Sequence, residues 1–64
     1  MALEAGRTDY GMTNKGQVVV IEKQSYDDTG ENLISTYEVR HGVRTVKEGL
    51  SKTAAETLAR ALAR

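Results

Sequence analysis

The sequence predicts an α+β domain: a three-stranded antiparallel meander packed against one C-terminal α-helix, behind a flexible N-terminal tail. Three observations predict it. A β-branched run, QVVVIEKQSY, opens a series of short strand-like segments separated by turn residues. An Ala-rich amphipathic segment, LSKTAAETLARALAR, closes the chain. The opening stretch, MALEAGRTDYGMTNKG, keeps no apolar period and is interrupted by glycine. The 64 residues therefore divide into a tail, 1–16, and a single β-β-β-α domain, 17–64.

Residues 17–26 make the first strand. Asp28-Thr29-Gly30 fits a three-residue hairpin loop, with Gly30 in the left-handed position that a Cβ disfavours. Residues 32–40, NLISTYEVR, make the second strand. His41-Gly42 is the candidate two-residue turn into a third strand, VRTVKE, which Gly49 ends. The helix follows. Ser51 is a natural N-cap with Leu50 before it; Thr53, with Glu56 three residues on, is the alternative. Leu58 and Leu62 fall on one stripe with Ala55 and Ala59, and Arg60 and Arg64 stand where cations favour the helix dipole.

Those turns imply a register. Ile21 should oppose Tyr37, Val19 oppose Val39, Arg40 oppose Val43 and Tyr37 oppose Val46. One face then gathers Val19, Ile21, Leu33, Tyr37, Val39 and Val46, which the helix would cover. The other face carries Val18, Val20, Ile34 and Val43 among polar residues including Glu38 and Arg40. One helix covers one face only, so this second face is the expected contact surface for a twin subunit or another protein. The first strand is expected at an edge, where VVVI invites strand addition.

Composition narrows the function. There is no Cys and a single His, which excludes disulfides and argues against a structural zinc site; no metal or cofactor is expected. A chain of 64 residues has a marginal core, and self-association is the remaining common remedy, so a homodimer is expected. Formal net charge is zero, although the acids gather in residues 17–31 and the bases after Asn32. The longest aliphatic run, Val18–Ile21, is far too short to span a membrane, and no leader-like stretch opens the chain; the expectation is a cytoplasmic protein without membrane contact.

No catalytic constellation emerges. His41 sits in a turn without an orienting partner in view, and Asp27-Asp28 read as turn-forming carboxylates. The glycines match neither phosphate-loop nor dinucleotide spacing, and the acids do not match a calcium loop. The chain is read as a non-enzyme. The expected function is a small protein-binding regulator or inhibitor, of the kind phages and mobile elements often carry, contacting a protein partner through Val18, Val20, Ile34, Glu38, Arg40 and Val43.

The alternative is nucleic-acid binding. Gly49, Ser51, Lys52, Ala55, Ala59 and Leu62 stand at positions that resemble the closing segment of double-stranded RNA-binding domains. That resemblance implies phosphate contact by Lys52 at the helix start; the family's next lysine is Thr53 here. Arg40, Arg44 and Lys47 would extend the basic surface across the sheet.

Overall fold

The computed structural model describes residues 3–64, which form four strands and a helix: β1 (Leu3–Thr13), β2 (Gly16–Tyr26), β3 (Leu33–His41), β4 (Arg44–Leu50) and α1 (Lys52–Leu62). The strands are antiparallel and lie in chain order, β1-β2-β3-β4. The α+β class and the single C-terminal helix are as expected. The sheet has four strands instead of three, because residues 3–13 of the expected tail form β1. Residues 1 and 2 of that tail lie outside the described residues.

The glycines that hid β1 explain its shape. Its pairing with β2 shifts between Glu4 and Gly6 and again between Asp9 and Gly11, where Gly11 takes a φ of 123°. Each shift is a bulge, which adds a residue and breaks the alternation that marks a strand. The same pairing makes β2 an interior strand, so VVVI is not an edge. The edges are β1 and β4, and the β3–β4 pairing is also irregular, between Tyr37 and Arg40. Bulged edges resist strand addition.

The β2–β3 loop decides which face of β2 meets the helix. The Asp27 amide donates to the Asn32 carbonyl (2.9 Å), so the loop holds four residues, 28–31, one more than expected. The Asp27 carboxylate closes it, accepting from the Thr29 hydroxyl (2.7 Å) and the Asn32 side-chain amide (2.8 Å). Those two bonds also hold the Asp27 carboxyl well below the usual carboxylate range. The extra residue moves the register by one. Val20 opposes Val39 and Ile21 opposes Glu38, so the two faces of β2 exchange roles. The next turn moves too: Gly42 and Val43 form it, with His41 opposite Arg44 and Arg40 opposite Thr45. Gly42, at φ 67°, takes the positive angle that a type II′ turn asks of its first central residue.

The core lies between α1 and the face of Val18, Val20 and Val39. Ala55 and Ala59 are fully buried against it, and Leu58 and Leu62 pack at its margin, as their spacing predicts. Ser51 caps the helix, its hydroxyl accepting from the Ala54 amide (3.2 Å). Alanines at the contact let the helix approach closely but bury little volume. The core is therefore thin.

Two turns meet where the hairpins end. A Cβ on Gly16 would stand 2.5 Å from the Gly42 Cα, and one on Gly42 would stand 2.5 Å from the Lys15 carbonyl oxygen. Both glycines also hold positive φ, at 120° and 67°. Gly16→Ala and Gly42→Ala should each lower unfolding stability by about 2 kcal/mol or more in urea titration. Gly30→Ala, whose Cβ would meet open space, should cost about 1 kcal/mol. Equal costs at all three positions would contradict the close approach.

Candidate interaction surface

Strand and helix lengths set the exposed surface. Eleven-residue strands reach about 36 Å. An eleven-residue helix reaches about 16 Å. The helix packs on β2 and β3 around Val18, Val20 and Val39, near the end where the two tight turns meet. The far end of the sheet, toward the β2–β3 loop, lies beyond it. There Tyr26 pairs with Leu33 across the hairpin, and both are exposed, at 66% and 54%. Leu3 is exposed on the neighbouring strand, and the register places it on the same, helix-side face. Ile34 is exposed on the opposite face.

The face turned away from the helix covers itself. Val19 and Ile21 are buried there although no second layer lies over them among the described residues. Their cross-strand neighbours are long and polar: Asp9 and Arg40 flank Val19, while Arg7 and Glu38 flank Ile21. Burial of aliphatic side chains under long Arg and Lys stems is the physical account this placement offers. Glu38 organises the cover. Its carboxylate accepts from Arg40 Nε (2.5 Å) and the Thr45 hydroxyl (3.0 Å), and it pairs with the Lys23 ammonium. Burial alone would push the Glu38 carboxyl up. The bonds from Arg40, Lys23 and Thr45 and the Arg40 charge outweigh that and bring it from 4.5 down to about 2. The same pairing raises the Arg40 guanidinium.

The expected contact residues are thus scattered. Val18 and Val20, expected on the open face, lie beneath the helix because the register is one residue away from the expected one. Glu38 is buried in its ion group, and Arg40 is tied to it. Ile34 and Val43 are exposed but at opposite ends of the sheet. The expected basic residues separate as well. Arg44 and Lys47 lie on β4, Lys52 begins the helix, and Arg40 faces its acid. A strand, β1, stands where the first helix of a double-stranded RNA-binding domain would be.

Leu33, expected beneath the helix, is exposed instead, and neither Tyr26 nor Leu3 is marked as a contact residue by any local pattern in the sequence. The signal that finds them is arithmetic: the strands are twice as long as the helix that covers them. Lys15, expected in the tail, lies beside His41 and Arg44 at the turn end of the sheet. Among the described residues no three His, Cys, Asp or Glu side chains gather as metal ligands, and no helix is long and apolar enough to cross a membrane. No family model, no curated protein and no solved structure matches the chain.

Glu38 links the self-covered face to pH. Its carboxyl is lower in the folded state than in the unfolded one, so its stabilisation is complete above about pH 4.5 and disappears as pH falls through about 2. Lys23 and Arg40 keep partial solvent contact, which limits the gain to about 1–2 kcal/mol. Glu38→Gln should cost that amount at neutral pH and flatten the acid limb of the stability curve, leaving the slope due to Asp27. An unchanged acid limb would contradict this assignment.

Proposed function

We propose that the chain is a small, non-catalytic protein-binding factor of regulatory or inhibitory type, working in the cytoplasm as a homodimer. The uncovered end of the sheet carries this reading. Surface area supports it. A compact 7.0 kDa monomer exposes about 4,000 Å², whereas this chain exposes 4643 Å². The excess, about 600 Å², is about three quarters of one partner's share of a standard interface, about 800 Å². Shape agrees: the radius of gyration is 12.4 Å and the extents are 42 × 20 × 15 Å, against about 11 Å for a compact domain of this length. The exposed apolar residues Leu3, Tyr26, Leu33 and Ile34 lie on the part that makes the molecule long.

A factor without catalytic groups acts by occupying surface. Bulged edges favour contact through side chains over strand addition. Self-association through the Tyr26–Leu33 end offsets the thin core under the helix.

Light scattering on the purified chain should give about twice 7.0 kDa in the micromolar range. Tyr26→Lys combined with Leu33→Lys should give 7.0 kDa with an unchanged far-ultraviolet spectrum, since both side chains are exposed. A wild-type mass of 7.0 kDa at every concentration would remove the homodimer.

A further inference from the structure

The two ends of the long sheet are complementary. At the turn end, Lys15, His41 and Arg44 join Val43, Val46 and Leu62 around an open groove of about 370 Å³. Among the described residues no carboxylate side chain lines it. Val43 projects fully into solvent from the β3–β4 turn, and Val46 is 38% exposed. The His41 ring is held in place. Thr13 has one hydroxyl proton, which goes to the Gly16 carbonyl (2.9 Å), so His41 donates to Thr13 from Nε2 (2.5 Å). The groove is therefore basic and apolar together.

The loop end has the opposite charge and the same apolar character. Exposed Tyr26 and Leu33 stand at the base of a loop bearing Asp28 and Glu31, both exposed, and the ionised Asp27. β2 runs from the groove end to the loop end, and β3 runs back, so the ends are separated by the length of the sheet.

We infer that the groove seats the Tyr26–Leu33 end of a second copy of this chain, the two copies lying antiparallel about a twofold axis. The inference rests on the homodimer proposed above and specifies its geometry. An antiparallel pair makes the contact twice, once at each end, and closes on itself. Apolar side chains meet apolar side chains, and Asp28 and Glu31 meet Lys15 and Arg44. Nucleic acid fits the groove less well, because phosphates would leave Val43, Val46 and Leu62 without a partner and, among the described residues, no aromatic lines it for base stacking.

Charge reversal tests the pairing. One variant carries Lys15→Glu and Arg44→Glu; the other carries Asp28→Lys and Glu31→Lys. All four side chains are exposed, so circular dichroism should be unchanged. Each variant alone should dimerise at least about tenfold more weakly than the wild type by sedimentation equilibrium, and wild-type dimerisation should weaken as salt is raised. Mixing the two variants should restore a stable two-chain species, since native groove then meets native loop and reversed groove meets reversed loop. Variants that dimerise like the wild type would overturn the geometry while leaving the homodimer intact. Weakened variants that fail to rescue each other would also overturn it. A wild-type mass that grows beyond two chains with concentration would replace the closed pair with open head-to-tail association. A wild type that is monomeric throughout would remove the homodimer, and this geometry with it.

Discussion

One short helix has to cover a sheet more than twice its length. The rest of the structure follows from that mismatch. The helix settles on Val18, Val20 and Val39 with Ala55 and Ala59 at the contact, so the core is narrow and lies toward the turn end. Beyond it, on the helix side, Leu3, Tyr26 and Leu33 are exposed. The area and shape of the molecule depart from those of a compact domain for this reason.

The two faces of the sheet answer the shortage differently. On the side away from the helix, charged side chains substitute for a second layer. Glu38 draws Lys23, Arg40 and Thr45 together, while Val19 and Ile21 are buried in their midst. A self-paired polar cover leaves little there for a partner to bind. On the helix side no such cover reaches Tyr26 and Leu33, each more than half exposed. The open face expected to bind is thus the satisfied one. The unsatisfied surface is the end of the face that carries the core.

Much of this was legible in the sequence. The helix, its Ser51 cap and its Ala55–Leu58–Ala59–Leu62 stripe follow from propensity and period, which are local properties. The strands β2, β3 and β4 follow from β-branched runs between turn residues. β1 was not legible, because bulges after Glu4 and Asp9 erase the alternation that marks a strand. The identity of the core face was not legible either. It depends on whether the loop after Asp27 holds three residues or four, and the bonds from Thr29 and Asn32 to the Asp27 carboxylate favour four. A single residue there exchanges every inward and outward side chain of β2 relative to β3. The exposed sheet end was hidden for a third reason: it is a property of relative lengths, which no local motif carries.

The proposed contact surface is the end of the sheet beyond the helix. Backbone amide exchange at two protein concentrations, one dilute and one concentrated, tests it most directly. If the proposal holds, protection of residues 22–26 and 33–36 rises with concentration, while Val18, Val20 and Val39 under the helix change no more than global stability changes. If protection at Tyr26 and Leu33 is the same at both concentrations while the mass remains that of one chain, the sheet end is merely exposed and the account fails.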